Sequence, residues 1–403
     1  MSIQPLPEGS VLLHIGPRKT ATTGIQAGLA GGRHQLKALR VAYPESPDGP
    51  SRNAYDRTRA ASPSWAVLRT SPPGFDVPDI GVWEEFAASV RAAAKAGMRV
   101  CVSSETFANT VDPEITRRIV ADLGGDNVHV VYAARALHRL LPSHWQQEVK
   151  VQLETRRYDE WLRMVLSTDD PVAARRAFWY AHDVEATMTA WLSAMRASNL
   201  TVIASDDSDR RLIPQTVERL LGLPDGFLDT ESSRANPSLG ADEVEVLRLL
   251  NTAAREREWP LRRFTALQRA ATRGLASVER SIPAHRPAAV PEWAVAEVER
   301  LSRARRDAIE HSGARVVGDL DLLLLPAAAR DAEFVPTPAV VSADTTARAL
   351  AETIAAELRE LERADRRIKR SRAKSAPASV PRPAHLRYRT LIGEVLRRPF
   401  RRG

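Results

Sequence analysis

The residues best suited to chemistry lie between an apolar run at residues 11–15 and a helical pattern at residues 22–29. The joining segment, GPRKTATT (residues 16–23), combines glycine, two adjacent basic residues and three threonines. Backbone N–H groups at such a turn converge on one spot, and the dipole of the following helix adds positive potential there. The pattern therefore predicts a site for a phosphate-like or sulfate-like anion, with a solvated basic turn as the alternative. The residues expected to contact the anion are Gly16, Arg18, Lys19, Thr20, Ala21, Thr22 and Thr23.

A nucleoside-triphosphate site is disfavoured by the position of the lysine. The P-loop of ATPases and kinases follows the pattern G-x-x-x-x-G-K-[ST]. Aligned on Gly16 and Thr23, that pattern requires Gly at position 21 and Lys at position 22, whereas the chain has Ala21 and Thr22 there, and Lys19 stands three positions earlier. Since these enzymes need the later lysine on the β- and γ-phosphates, a kinase is the least favoured interpretation.

The stretch HIGPRKTATTGIQ (residues 14–26) resembles the 5′-phosphosulfate-binding loop of sulfotransferases, in the form H-I-G-x-x-K-T-G-T-T found in many bacterial members. These enzymes transfer the sulfuryl group of 3′-phosphoadenosine 5′-phosphosulfate (PAPS) to an acceptor. The resemblance implies that Lys19 neutralises the leaving phosphate oxygen. The departure from the family pattern is Ala21, where the family usually has Gly; Ala costs about 1 kcal/mol or more if that residue needs a positive φ.

A second stretch carries the same resemblance. RALHRLLPSHWQQEVK (residues 135–150) is similar to a segment of actinobacterial sulfotransferase-family proteins. The resemblance implies that Arg135, after the fourth strand, and Ser143, eight residues later, hold the 3′-phosphate. A guanidinium offers a planar fork for such a group. A surface arginine near a helix start is the alternative. Two further stretches, residues 178–195 and 232–251, fit the same group, and the second brings Arg234, Asn236 or Ser238 towards the nucleotide. The resemblance covers residues 11–325.

The candidate general base is Glu105, which follows the third apolar run. Functional groups of open α/β sheets cluster at the carboxyl ends of strands, next to the phosphate loop. Some sulfotransferases use His near this place and others use Glu, and this chain offers Glu105. Alternatively, Glu105 caps the following helix or pairs with a loop arginine. Ser103 or Ser104 is expected either to bind the cofactor or to finish the strand.

The histidines favour structural roles over catalytic ones. His14, in the loop pattern, is expected in the core, and His138 and His144 on a helix face with one of them near adenine as an option. His182 and Asp183 form either a base with its orienting carboxylate or a local helix-stabilising pair. No H-E-x-x-H, C-x-x-C or comparable ligand pattern is present, so no metal is predicted.

Five short apolar, β-branched runs predict buried parallel strands, at residues 11–15, 39–42, 99–103, 128–132 and 201–204. Helical patterns alternate with them, including one over residues 135–166 in which Pro142 is the candidate point for a break. Alternation of this kind predicts an α/β protein with a P-loop-like three-layer fold, in which a central parallel β-sheet is flanked by helices. The segment at residues 44–79 is expected to be a long excursion that lines a site.

Helical patterns dominate after residue 222 and predict a helical cap from about residue 226. We predict a sulfotransferase-like α/β domain over residues 1–330 and a helical, basic C-terminal extension over residues 331–403. The extension carries the basic character of the chain. The whole chain has a net charge of +8, whereas residues 363–403 alone carry +12, so the remainder carries −4. A nucleic-acid partner is therefore not expected, because the positive charge is confined to the tail.

The basic tail ends in an amphipathic pattern at residues 385–403, which suits peripheral contact with an anionic membrane or a protein, or else a solvated tail. Cys101 is the single cysteine, which excludes an intrachain disulfide and a Cys-rich zinc site. The sequence contains no secretory signal pattern and no apolar run of the roughly 18 residues that a spanning helix needs, so a cytoplasmic protein is expected.

The resemblance implies a PAPS-dependent sulfotransferase that modifies a hydroxyl or amine of a small-molecule, lipid or glycan acceptor and releases adenosine 3′,5′-bisphosphate (PAP). Lys19 and Glu105 are the predicted catalytic residues, and Arg135 and Ser143 join the loop in binding the nucleotide. The alternatives are a non-catalytic nucleotide-binding protein on the same fold and, less favoured, a small-molecule kinase. The acceptor and the oligomeric state leave no signal in the sequence.

Overall fold

The computed structural model describes most of the chain between residues 3 and 334. The described residues are 3–18, 20, 22–44, 62–71, 76–167, 169–205, 208–228, 239–276, 290–334, 341–342, 345–346, 349–351, 353–355, 359 and 363. The chain divides into two compact units, residues 1–353 and 354–403. Of the second unit only a few residues are described, and the predicted basic tail lies outside them. The predicted domain boundary at residue 330 stays a prediction.

The centre of the first unit is a six-stranded sheet whose strands pair in parallel. Four of the strands are buried along almost their whole length, which is why apolar residues dominate each of them. The sheet order is β2-β3-β1-β4-β5-β6. The strands are β1 (Val11–Gly16), β2 (Val41–Ala42), β3 (Arg99–Ser103), β4 (Val128–Ala134), β5 (Leu200–Ala204) and β6 (Arg315–Gly318).

The strand order places β1 between β3 and β4. From β1 the chain crosses towards β2, on one side of the sheet, and from β4 it crosses towards β5, on the other side. The carboxyl ends of β1 and β4 therefore flank the point where the direction of winding reverses, which is where open α/β sheets bind their ligands. At this end His14 lies opposite Ser103, and Gly16 lies opposite Tyr132 after an irregularity in the pairing.

Helices make up most of the remaining described chain. In chain order they are α1 (Thr22–Gly31), α2 (Arg33–Ala38), α3 (Pro63–Leu68), α4 (Ile80–Lys95), α5 (Pro113–Leu123), α6 (Leu137–Val151), α7 (Tyr158–Leu166), α8 (Pro171–Ala174), α9 (Tyr180–His182), α10 (Val184–Leu192), α11 (Leu212–Leu221), α12 (Ala241–Glu256), α13 (Leu261–Ala276), α14 (Glu292–His311) and α15 (Ala327–Arg330). A 3-10 helix, Glu105–Asn109, follows β3, and a π-helical turn, Arg175–Trp179, precedes α9.

Each face of the sheet is covered by a layer of helices. On one face Leu13 and Val130 pack with apolar side chains of α3, α4, α5, α10 and α14. On the other face Leu12 and Val131 pack with side chains of α1, α2 and α11. Alternate residues of each buried strand point to opposite faces, so both layers bury apolar surface. The predicted α/β fold with a central parallel sheet flanked by helices is confirmed.

A separate hydrophobic core lies among the helices of the cap. It contains Leu140 and Trp145 from α6, Trp161 from α7, Leu247 from α12 and Leu275 from α13, and all five side chains are buried. These residues recur on one face of each helix, which is the pattern of an amphipathic helix that packs against others. The expected helical part beyond residue 226 thus includes α12, α13 and α14, and it shares its core with α6 and α7.

Two details correct the expected elements. Helix α6 continues through Pro142, and the break comes at Leu153, whose φ is +62°. Pro142 is the sixth residue of α6, so the helix lacks one interior i→i−4 hydrogen bond there and nevertheless continues to Val151. The second is β6, a strand that the sequence did not predict: it lies in the region expected to be mostly helical and pairs with β5 at the edge of the sheet. Among the described residues no helix combines the length and apolar character needed to cross a membrane.

Candidate functional site

The candidate anion-binding loop lies at the carboxyl end of β1. Gly16 ends β1 with a φ of +88°, and α1 begins at Thr22. A β-carbon on Gly16 would come within 2.9 Å of the Cα of Glu105, so this position requires glycine for its φ and for its space. The loop is thus held directly against the first residue of the 3-10 helix. Lys19 and Ala21, which belong to the predicted site, lie outside the described residues.

The two ends of the loop are tied to one residue of β3. His14, before the loop, lies with Nδ1 2.9 Å from Oγ of Ser103. Gln26, on α1 after the loop, donates from Nε2 to the carbonyl oxygen of Ser103 at 3.1 Å. All three residues are buried, and burial lowers the pKa of His14 to about 4, so its imidazole is neutral at pH 7. The sequence did not predict that Gln26 anchors the loop, although this residue belongs to the stretch at residues 14–26.

The threonines of the loop differ in their environment. The Thr20 hydroxyl donates to the carbonyl oxygen of Pro17 at 2.5 Å, so it stabilises the turn itself. Thr22 is 5% exposed, and its Oγ1 makes no hydrogen bond with any residue that the structure describes. Thr23 is exposed, and Arg18 is half-buried. An unsatisfied hydroxyl in the first turn of a helix is a donor that an anion can accept from.

Glu105 is the first residue of the 3-10 helix and is half-buried. The cap of that helix is Ser104, whose Oγ accepts from the N–H of Thr106 at 3.2 Å, so the capping role considered for Glu105 belongs to Ser104. Burial raises the pKa of Tyr43, and the charge of Glu105 contributes in the same direction, which shows that the carboxylate is near this phenol. The backbone of Glu105 therefore lies against the loop, and its charge acts on a residue that follows β2.

A narrow pocket opens beside Ser104 and Phe107, which flank Glu105 in the sequence. Its walls combine apolar side chains of α4 and the 3-10 helix with hydroxyl groups of β3 and α3. The lining residues most relevant to a ligand are Tyr43, Ser64, Phe86, Ser104 and Phe107. Helix α3 belongs to the segment at residues 44–79 that was expected to line a site, and Pro63 and Ser64 of that helix do line this pocket.

The two residues predicted to hold a 3′-phosphate lie on successive elements. Arg135 directly follows Ala134, the last residue of β4, and is half-buried. Ser143 is half-buried in α6, and its side-chain hydroxyl makes no hydrogen bond with any described residue. The structure thus brings Gly16, Arg18 and Arg135 to the carboxyl ends of neighbouring strands, and Ser143 lies further along α6. Arg234, Asn236 and Ser238 are outside the described residues.

A buried array of ionisable groups lies behind the loop. Nδ1 of His144 and Nε2 of His182 are 2.9 Å apart, and Nε2 of His144 is 3.3 Å from Oε1 of Glu148. Both histidines are fully buried. Burial lowers the pKa of His182 well below its ordinary value, and the charges of His144, Arg305 and Arg18 lower it further. His182 is therefore close to the loop arginine, which its position in the sequence does not reveal.

Arg305, on α14, brings a second cation to this region. Its side chain is 6% exposed, its Nη2 donates to the carbonyl oxygen of Arg135 at 3.4 Å, and its guanidinium interacts with the hydroxyl of Tyr132. Burial lowers the pKa of Arg305. Arg305 lies far from the loop in the sequence, inside a charged helix, so no motif marks it. Among the described residues there is no cluster of His, Cys, Asp and Glu that could hold a metal ion.

Comparisons with protein-family models, curated proteins and solved structures return no match to this chain. The class is therefore defined by the fold and the site: an α/β protein with a parallel six-stranded sheet and a candidate ligand site at the switch point of that sheet.

Proposed function

We propose that this protein is a PAPS-dependent sulfotransferase. The observation that carries the proposal is the contact between Gly16 and Glu105, because it holds the backbone of the candidate base directly against the candidate anion loop. A sulfuryl transfer needs an anion-binding loop and a base within reach of the same reacting group. The resemblance of the loop and of residues 135–150 to sulfotransferase motifs supports the same function.

The donor PAPS supplies an activated sulfuryl group linked to a 5′-phosphate. The loop fits such an anion because Thr22 offers a buried, unsatisfied hydroxyl at the start of α1. Lys19 would offset the negative charge that develops on the leaving phosphate oxygen. Arg135 and Ser143 would hold the 3′-phosphate, and Arg18 would add positive potential near the loop.

Glu105 would accept the proton of the acceptor hydroxyl or amine. As that proton moves to the carboxylate, the acceptor atom forms its bond to sulfur, and the bond between sulfur and the 5′-phosphate oxygen breaks with its electron pair on that oxygen. The products are the sulfated acceptor and PAP. The pocket lined by Phe86, Phe107 and Ser104 has an accessible volume of about 40 Å³, so we propose that it receives the reacting hydroxyl or amine group and not the whole acceptor. The acceptor class that we propose is a small molecule, a lipid or a glycan.

A second candidate is a non-catalytic nucleotide-binding protein on the same fold. The observation that favours it is Ala21, where sulfotransferases usually have Gly in the loop. It would bind PAP tightly and would produce no sulfated product. A kinase is less favoured because Thr22 stands where a kinase needs lysine. For either candidate, the basic tail would mediate contact with an anionic membrane or a protein.

Ligand-dependent thermal unfolding tests the binding step. A ligand at one hundred times its dissociation constant stabilises the folded protein by about 2.7 kcal/mol. Because the proposed site should bind PAP more tightly than ATP with Mg²⁺, PAP should raise the unfolding temperature more at equal concentration. Transfer from radiolabelled PAPS to a panel of phenols, sugars, amines and lipids then tests the reaction. Stabilisation by ATP with Mg²⁺ but not by PAP would contradict the proposal. PAP binding without any labelled product would favour the non-catalytic candidate.

A further inference from the structure

The proposed chemistry leaves the array of Glu148, His144 and His182 without a role. Two histidines that share a hydrogen bond of 2.9 Å inside a protein, with no exposure of either ring, are expensive to bury. Nδ1 of His182 is buried and makes no hydrogen bond with any described residue. A buried imidazole nitrogen of this kind is left for a proton or for a ligand.

The tautomers of the two rings follow from Glu148. Nε2 of His144 lies 3.3 Å from Oε1 of Glu148, an ion-pair distance at which neither atom completes a hydrogen bond. A carboxylate attracts a hydrogen and repels a lone pair, so we assign the hydrogen of His144 to Nε2. Nδ1 of His144 is then the acceptor in its contact with His182, and the hydrogen in that contact belongs to Nε2 of His182. Nδ1 of His182 therefore carries a lone pair and no hydrogen. The opposite assignment would set a lone pair of His144 against the carboxylate, which is repulsive.

The charges that act on the His182 ring are positive. Arg18 and Arg305 both act on its ring, while Glu148 is separated from it by His144. The charges that act on His182 are those of His144, Arg305 and Arg18. Helix α9 packs against the 3-10 helix that begins at Glu105. Further ionisable groups lie one step away: Glu148 beside His144, Tyr132 beside Arg305, and Asp183 next to His182 in the sequence. Without an anion, the two arginines oppose a third positive charge.

We infer that His182 is a further residue of the anion site: when an oxyanion binds beside Arg18, Nδ1 of His182 takes one proton from solvent and donates a hydrogen bond to it. The bound anion offsets the charges of Arg18 and Arg305, which removes the main electrostatic opposition to an imidazolium. His144 and Glu148 stabilise the new charge, because the hydrogen on Nε2 of His182 already points towards His144. The ligand class is a phosphate or sulfate ester group. The inference rests on the proposed function only for the place of the anion.

Calorimetry tests the inference through proton uptake. PAP is titrated into the full-length protein at pH 7 in two buffers of different ionisation enthalpy. Phosphate esters themselves titrate near pH 6 and can take up or release protons on binding. The test therefore compares the proton uptake of the wild type with that of the His182→Asn variant. We expect the wild type to take up about one proton more per PAP than the variant. The PAP dissociation constant of the wild type should rise by up to about tenfold per pH unit above pH 7, more steeply than that of the variant.

The matched control is His129→Asn, because His129 is also a buried histidine with a lowered pKa but bonds to Thr201. This variant should keep the proton uptake of the wild type. If His182→Asn does not fold, ¹⁵N spectra of histidine-labelled wild type serve instead. One imidazole should change from the neutral to the doubly protonated form when PAP is added.

The outcomes separate the inference from the proposed function. Binding of PAP with equal uptake in the wild type and the variant, or without a doubly protonated imidazole in the spectra, overturns the inference and leaves the proposed function intact. Binding of inorganic pyrophosphate with the expected uptake, but no binding of PAP, supports the inference and contradicts the proposed function. If neither ligand binds, the loop is not an anion site, and both are overturned.

Discussion

The Cα of Glu105 is so close to Gly16 that a β-carbon on Gly16 would lie 2.9 Å from it. The contact joins the end of β1 to the start of the 3-10 helix after β3, and both segments follow neighbouring strands. The loop and the candidate base therefore cannot move independently. Any residue with a side chain at position 16 must separate them.

We predict that Gly16→Ala weakens both folding and nucleotide binding. The substitution adds a β-carbon at a φ of +88° and forces it against backbone, so the free energy of unfolding should fall by roughly 2 kcal/mol. Urea unfolding measures this loss, and calorimetry should show weaker PAP binding. Gly31→Ala is the control, because Gly31 ends α1 with open space around its Cα. Equal stability of Gly16→Ala and wild type would contradict the contact.

Substitutions of the two predicted catalytic residues should impair sulfuryl transfer in different ways. Lys19→Ala should lower kcat roughly 10²- to 10³-fold, because it removes a charge from the leaving oxygen. Glu105→Gln keeps the shape of the side chain and should lower kcat by about 10²-fold or more while PAP affinity stays unchanged. Sulfuryl transfer from PAPS measures both, with the exposed residues Lys37 and Glu114 replaced in the same way as controls. Full activity of Lys19→Ala would refute the mechanism, whereas full activity of Glu105→Gln would refute only the base.

The sequence predicted best what depends on local pattern. The strands β1 and β3 could be predicted from the sequence because strands buried on both faces consist mainly of apolar residues. β6 could not, since Arg315–Gly318 is a largely exposed edge strand without such a run. The candidate anion-binding loop at Gly16 could be predicted because its residues are consecutive in the sequence. His182 and Arg305 were not recognisable as neighbours of that loop, because only the packing of α9 and α14 brings them there.

Ser103→Ala should destabilise the protein because Ser103 anchors both ends of the loop. The variant leaves Nδ1 of His14 buried without its partner, and an unsatisfied buried group costs about 1–3 kcal/mol. The hydrogen bond from Gln26 to the carbonyl oxygen of residue 103 remains, so the loss should not exceed that range. Urea unfolding at pH 7 gives the difference. Ser198→Ala, at an exposed serine, should leave the free energy of unfolding nearly unchanged. An equally small change for Ser103→Ala would contradict the anchoring role of Ser103.

His129 should make the fold sensitive to acid. Burial, and secondarily the charge of Arg315, lowers the pKa of His129 from its ordinary value of 6.5 to about 4. Between these two values the unfolded chain binds a proton that the folded protein does not, so stability is full above pH 6.5 and falls as the pH drops towards 4. His129→Gln should reduce that slope by up to about 1.4 kcal/mol per pH unit. Urea unfolding at pH 7, 6 and 5 measures the slope, and an unchanged slope would contradict the assignment. His34→Gln, at an exposed histidine, is the control.

Glu218 holds the turn after α11, and its removal should be costly. Its buried carboxylate accepts from Nη2 of Arg211 at 3.0 Å and from the N–H groups of Gly226 and Leu228 at 3.2 and 2.7 Å. Glu218→Ala leaves these donors without their acceptor and should lower the free energy of unfolding by about 3 kcal/mol. Glu218→Gln keeps one acceptor oxygen and should lose less. Asp225→Ala changes an exposed carboxylate in the same turn and should be nearly neutral in urea unfolding. Equal losses for Glu218→Ala and Asp225→Ala would mean that the turn does not depend on the buried carboxylate.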